Sequence, residues 1–198
     1  MQKNIAFFDF DGTITKRDSM LEFARFCSGT IAYGAGMCLI SPWLIAMKIG
    51  LISKTKAKEK LLTYFFKNTP VETFNNNCIF FTTKVIPFLI KEEAITAIKK
   101  YQAENIPVII VSASAENWVA PWCVKNNLTL ISTQLEIKDN KITGKLNGEN
   151  CNENEKVSRI KKIFNLADYD NIYCYGDSNG DKMMLQLATH PHYRFFKK

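Results

Sequence analysis

Short apolar runs that end in polar residues punctuate this chain. Ile5–Ala6–Phe7–Phe8 runs directly into Asp9, the pattern of a buried strand. Val108–Ile109–Ile110–Val111 ends at Ser112, and Thr129–Leu130–Ile131–Ser132 is a third candidate. Ile172–Tyr173–Cys174–Tyr175 leads into Gly176–Asp177, and His192 to Phe196 reads as a fifth strand. Elsewhere the apolar period lengthens to that of a helix. Glu92 to Glu104 sets Ala94, Ile95, Ile98 and Tyr101 on one face, and Asn105 and Pro107 end it. Glu155 to Leu166 reads as another helix, with Asn152 and Glu155 spaced like a capping box. Gln134 to Lys138 and Lys141 to Lys145 form a hairpin pattern around Asp139–Asn140.

Strands alternating with helices predict an α/β fold: a three-layer, Rossmann-like parallel sheet with right-handed crossovers. Ligands of such sheets sit beyond the carboxyl ends of the strands. Asp9, Ser112 and Asp177 converge there. Segment 16–90 is too long for one crossover helix. It is expected to form a helical cap inserted after the first strand, leaving 1–15 and 91–198 as the core. Within it, Ile31 to Ile52 is strongly apolar and approaches the length of a membrane span. Pro42, Lys48 and three glycines argue against one continuous spanning helix. The expectation is a buried or packed helical pair, with a membrane-apposed apolar surface as the alternative.

Composition narrows the class. The 198 residues are 46% hydrophobic and 23% charged, which suits a folded domain and not a disordered chain. The net charge of +7 points to an anionic partner: nucleic acid, membrane surface or phosphorylated metabolite. No basic stripe with interleaved aromatics supports nucleic acid. Lys54, Lys56, Lys58 and Lys60 alternate, so on a helix they fall on two sides. They read as a solvated helix, or more sharply as a phosphate-steering or anionic-surface patch. Six cysteines lack CxxC or zinc spacing and read as reduced thiols of a cytosolic protein. The opening MQKNIAFFDFDGT is not expected to be a signal peptide, because its apolar run is short and acidic residues follow.

Two loops carry candidate chemistry. Asp9–Phe10–Asp11–Gly12–Thr13 puts two carboxylates on the chain leaving a strand. Gly176–Asp177–Ser178–Asn179–Gly180–Asp181 adds two more after another strand. Asp-Gly is also a common turn dipeptide. Four carboxylates at two strand ends, however, suit a hard divalent ion with oxygen ligands, above all Mg²⁺. Trp118 and Trp122, at helical spacing, read as packing residues, and His190 and His192 as loop residues.

DFDGTIT at 9–15, VIIVSAS at 108–114, Lys156 ahead of a helix, and GDSNGD at 176–181 occur in the right order after the right elements. Together they resemble the haloacid-dehalogenase-like hydrolase superfamily, in particular its phosphoserine-phosphatase-like branch. The resemblance covers essentially the whole chain. It implies a Mg²⁺-dependent phosphatase in which Asp9 is the nucleophile, forming an aspartyl-phosphate, and Asp11 is the general acid and base. It implies Ser112 and Lys156 as phosphate-binding residues. It also implies a metal held by Asp9, Asp11 (through its carbonyl), Asp177 and Asp181. Asp18 stands where phosphoserine phosphatases carry a substrate-binding glutamate, and is shorter. GDSNGD replaces the branch's GDGAND, so Asn179 sits one residue early.

Three functions follow. One is a soluble phosphomonoesterase acting on a small phosphorylated substrate. Another is a phosphatase of a lipid phosphate at an anionic membrane surface, cytoplasmic and peripheral. The same branch includes phosphatidylglycerophosphate phosphatases, and the apolar 31–52 segment followed by lysines fits that reading. The third is a catalytically silent binding or regulatory protein, against which every expected catalytic position is filled.

Overall fold

The computed structural model describes residues 2–197; Met1 and Lys198, at the outer ends of the expected core segments, lie outside the described residues. In chain order it contains β1 (Asn4–Phe8), α1 (Ser19–Ser28), α2 (Thr30–Lys48), α3 (Lys54–Phe66), α4 (Val71–Lys84) and α5 (Ile86–Leu89). Next come α6 (Glu92–Ala103), β2 (Val108–Ala115), α7 (Glu116–Lys125), β3 (Thr129–Thr133), β4 (Leu135–Lys138) and β5 (Lys141–Leu146). The chain closes with α8 (Asn154–Ile163), β6 (Asn171–Gly176), α9 (Lys182–Leu185) and β7 (His190–Tyr193).

Among the described residues, five parallel strands pair in the order β3-β2-β1-β6-β7. This is the α/β, Rossmann-like parallel sheet expected. Alternation along β1 assigns each side chain to a layer. Ala6 and Phe8 join Trp118, Val119, Ala94 and Ile98 on one face. Ile5 and Phe7 join Ile160, Met184 and Leu185 on the other. Helices therefore cover both faces of a sheet whose central strand is buried on both sides, which is why that strand reads as an unbroken apolar run. The strand order reverses direction at β1, so the carboxyl ends of β1 and β6 flank the topological switch point.

The segment between β1 and β2 is helical from α1 to α5. It is pinched where it leaves and rejoins the sheet. Thr15 and Ile90 form an antiparallel bridge, and the Lys91 N–H donates to the Ile14 carbonyl at 2.8 Å. The β4–β5 hairpin packs against the same helices: the Asn68 N–H donates to Ile142 at 2.9 Å. Asp139 and Asn140 both have positive φ, the geometry of a tight two-residue hairpin turn.

Several elements differ from expectation. The apolar segment is one helix, α2, and not a buried pair broken at Pro42. Proline removes the N–H that would reach the Cys38 carbonyl, but the Ser41 hydroxyl donates to that oxygen at 2.7 Å. The helix is also largely exposed: Ile31, Leu39, Ile45 and Ile49 face outward. Strand β2 runs past Ser112 to Ala115, with an irregularity in its pairing between those two residues. The Asn152/Glu155 capping box does not form; Glu153 precedes α8 with φ +51 and no side-chain cap. A capping box forms instead between Ser178 and Asp181. Strand β7 starts and ends earlier than expected, stopping before Arg194 at φ +51. His190 and His192 therefore lie on a strand, stacked on Tyr173 and Tyr175.

Candidate active site

Asp9 is the first residue beyond β1, and its N–H donates to the Tyr175 carbonyl of the neighbouring strand at 2.9 Å. Asp177 follows β6 directly. The chain then turns at Gly12, with φ +79, so that the N–H groups of Ile14 and Thr15 return to the Phe10 carbonyl. The turn brings Gly12 against Asp177: a Cβ at Gly12 would lie 2.3 Å from an Asp177 carboxylate oxygen. Only glycine meets both the left-handed backbone and the close approach.

Lys156, buried at the first turn of α8, bridges two of the carboxylates. Its Nζ lies 2.5 Å from Asp9 Oδ1 and 2.7 Å from Asp181 Oδ1. The other Asp9 oxygen accepts from the Thr13 hydroxyl at 3.1 Å. Asp181 Oδ2 accepts from the Ser178 N–H and hydroxyl. Burial pushes the Asp9 carboxyl up to about 8, with the Asp181 and Asp11 charges adding to burial and Lys156 opposing it. Burial acts against the Lys156 ammonium as well, but the two carboxylates outweigh it and raise its pKa. Burial likewise works against the Asp181 carboxylate, yet Lys156 and Ser178 hold it below the ordinary carboxylate range. Asp177 is raised by burial and by Asp181.

Oxygens of Asp9, Asp177 and Asp181 all lie within 4.8 Å of one another. Three carboxylates so close, with Lys156 reaching only two of them, form an all-oxygen donor set that fits a hard divalent cation. The Asp11 carboxylate stands apart from this trio. Its Oδ1 accepts from the Ser19 N–H at the start of α1 at 2.6 Å, and its Oδ2 from the Ser114 hydroxyl at 2.5 Å. The Ser114 proton is committed to Asp11, so the Ser19 hydroxyl, 3.1 Å away, donates to Ser114. Trp118 Nε1 in turn donates to Ser19. Two acids two residues apart thus face different surroundings, one within the carboxylate trio and one against Ser19 and Ser114.

Ser112 is fully buried within β2, and its hydroxyl accepts the Ser114 N–H at 3.0 Å. The wall of the cavity at this strand is made by Ala113 and Ser114. Asp18 caps α1, accepting the Leu21 N–H at 3.1 Å, and lies at the cavity mouth. Its surroundings and the Asp11 charge push it up to about 6.

A cavity of about 650 Å³ joins these groups to the helical segment. Met37, Leu44 and Met47 of α2 and Leu61 of α3 line it, and so does Lys58 of α3. Lys58 donates to the Ala113 carbonyl and to Asn150 Oδ1, the latter at 3.0 Å. Burial lowers its pKa to about 8. Lys91, also buried, donates to the Gly12 carbonyl at 2.5 Å. The sequence assigned no role to Ser114 or Lys91, and set Lys58 only among the four alternating lysines of a solvated helix or phosphate-steering patch. Ser114 carried a local signal, two residues beyond Ser112 in the quoted strand motif.

The site is thus an aspartate at a strand end, two further carboxylates beside it and a lysine that bridges two of the three. The chain belongs to the haloacid dehalogenase-like hydrolases, whose family model matches residues 6–186. It is 32% identical over 192 residues to Protein CicA of Caulobacter vibrioides, covering 96% of this chain and 85% of that one. Its fold resembles that of a Bordetella pertussis Tohama I protein of unknown function, with TM-score 0.84, 23% identity, and 96% and 88% of the two chains covered. It also resembles a phospho-aspartyl intermediate analogue of phosphoserine phosphatase, with TM-score 0.68, 24% identity, and coverage of 95% and 84%.

Proposed function

We propose that the protein is a Mg²⁺-dependent phosphomonoester hydrolase that works through an aspartyl-phosphate on Asp9. The observation that carries this reading is the separation of the two acids. Asp9 sits in the Asp177–Asp181–Lys156 cluster, while Asp11 is held 2.5–2.6 Å from Ser114 and Ser19 on the cap side. An Asp9 oxygen attacks phosphorus, forming the Asp9 O–P bond as the ester P–O bond breaks. Asp11 donates a proton to the leaving alcohol. Water then attacks the phosphorus of the acyl phosphate, Asp11 takes its proton, and phosphate leaves with Asp9 restored.

Asp9, Asp177, Asp181 and the Asp11 carbonyl would hold Mg²⁺, which when bound supplies charge compensation for the phosphoryl oxygens. Lys156 adds a fixed positive charge beside the nucleophile, which lowers the repulsion an incoming phosphate meets. Lys156 lines the cavity as a phosphate ligand, Asp18 lines it as a substrate contact, and Ser112, buried behind Ala113 and Ser114, would reach a phosphoryl oxygen only if that strand end shifted. A cap closing over the cavity would keep bulk solvent out while leaving the one water that Asp11 activates against the aspartyl-phosphate.

Hydrolysis of an aryl phosphate tests the reading. It should require Mg²⁺ and fall below detection in Asp9→Asn. Full activity in that variant would overturn the mechanism.

A specific observation favours one class of substrate. Met37, Leu44 and Met47 of α2 and Leu61 of α3 give the cavity an apolar portion of its lining. That lining suits a phosphate ester with a hydrocarbon portion, a lipid phosphate, over a small polar metabolite. Phosphoserine phosphatase is similar in fold, but the Asp18 side chain is shorter than the glutamate the resemblance places there. A panel of lipid and polar phosphate monoesters separates the two.

A further inference from the structure

We infer that the outward face of α2 is a docking surface for an anionic phospholipid bilayer. The inference deepens the lipid-phosphate reading above, but its direct readout is binding and not turnover.

Helix α2 is apolar on both sides, yet only one side is packed. Gly36 lies under the rings of Tyr64 and Phe65, so close that a Cβ would fall 2.5 Å from the Tyr64 ring. Ile40 is buried beside it. Met37, Leu44 and Met47 turn into the catalytic cavity. The opposite side carries Ile31, Ala35, Cys38, Pro42, Ile45 and Ile49, spaced by three or four residues on one face. Ile31 is 90% exposed, Leu39 66%, Ile45 59% and Ile49 66%. From Ile31 to Ile49 this stripe extends roughly 27 Å at 1.5 Å per residue. A helix that is apolar all round is ordinarily buried or in contact with lipid, and a contiguous exposed apolar patch of this kind marks an interaction site.

The surroundings specify a bilayer. Lysines cluster where α2 ends: Lys48 is its last residue, Lys56 is exposed on α3, and Lys60 lies 4.5 Å over the Trp43 ring. Basic residues beside an apolar helix face with tryptophan at their border match the layered charge of an anionic lipid surface. The chain's net charge of +7 acts in the same direction. Although α2 is long and apolar enough to cross a membrane, its inner face is occupied by α3 and the cavity. It therefore lies along the surface. Because that inner face lines the cavity, a lipid phosphate leaving the bilayer beside α2 has a short path to Asp9.

The test is co-sedimentation of the full chain with vesicles of phosphatidylcholine alone and of phosphatidylcholine with one third phosphatidylglycerol. Trp43 is exposed whereas Trp118 and Trp122 are buried, so a blue shift of tryptophan fluorescence reports insertion of α2. Binding is expected with the anionic vesicles, with a blue shift, and it should weaken as salt is raised. Ile45→Glu should abolish it. Lys48→Gln and Lys56→Gln should each lower it roughly fivefold. Asp9→Asn should bind as the unmodified chain does, so a failed phosphatase reading would leave this binding intact. Absence of binding at low salt, or equal binding to neutral vesicles, would overturn the inference. So would a stable dimer in solution that Ile45→Glu dissociates, because a second copy would then cover the stripe.

Discussion

Gly12 and Asp177 meet across the ends of two parallel strands, with no room for a methyl group between the Gly12 backbone and the Asp177 carboxylate. The contact fixes both the turn that follows Asp11 and the direction of the Asp177 carboxylate, a proposed Mg²⁺ ligand. Gly12→Ala places a Cβ in a left-handed residue, which costs about 1–2 kcal/mol, and drives the carboxylate away. Thermal unfolding should register that loss. Activity should fall at least about tenfold through weaker Mg²⁺ dependence, read as a higher Mg²⁺ concentration at half-maximal rate.

Lys156 is the buried counter-charge of Asp9 and Asp181. Lys156→Met leaves two buried carboxylates facing each other, an uncompensated arrangement worth about 3–5 kcal/mol. The variant should unfold at a markedly lower temperature. Mg²⁺ should recover part of that loss by binding the crowded carboxylates in the folded state. If Mg²⁺ gave no protection, the trio would not be a metal site.

Ser114 orients the proposed acid. Ser114→Ala removes a hydrogen bond to a charged group, worth about 1.5–3 kcal/mol, so kcat should fall roughly 10- to 100-fold with KM little changed. An equal fall on aryl esters with a very acidic leaving group would argue against the role, since such groups need little protonation.

Lys58 carries a proton whose affinity burial has reduced, to about 8. Its charge is present below that value and lost above it. The kcat/KM for a phosphate dianion should therefore carry a falling limb near pH 8 from Lys58, set against the rising limb of Asp9, whose carboxyl also lies at about 8. Lys58→Arg, which stays charged, should carry the falling limb to higher pH.

The sheet and the acidic loops were legible because their signals are local. Phe8–Asp9 and Tyr175–Gly176–Asp177 mark the ends of apolar runs, and Gly12 and Gly180 follow within a few residues. Lys58 was not legible in its role. Its partner Asn150 is 92 residues away, and within KTKAKEK nothing distinguishes it from its exposed neighbours. Ser114 meets Asp11 across 103 residues, through an irregular end of β2 that the apolar pattern does not encode. The exposure of α2 was hidden for another reason. Composition reports that a helix is apolar, and only the packing of α3 against Gly36 decides which face remains outside.

The aspartyl-phosphate can be sought directly. The protein is mixed with an aryl phosphate and Mg²⁺, quenched in acid within a turnover, digested, and its peptides weighed. The expected result is a phosphoryl group on the peptide carrying Asp9, absent from Asp9→Asn and longer-lived in Asp11→Asn. A phosphoryl group on any other residue, or turnover with none on the protein at any quench time, would contradict Asp9 as the nucleophile.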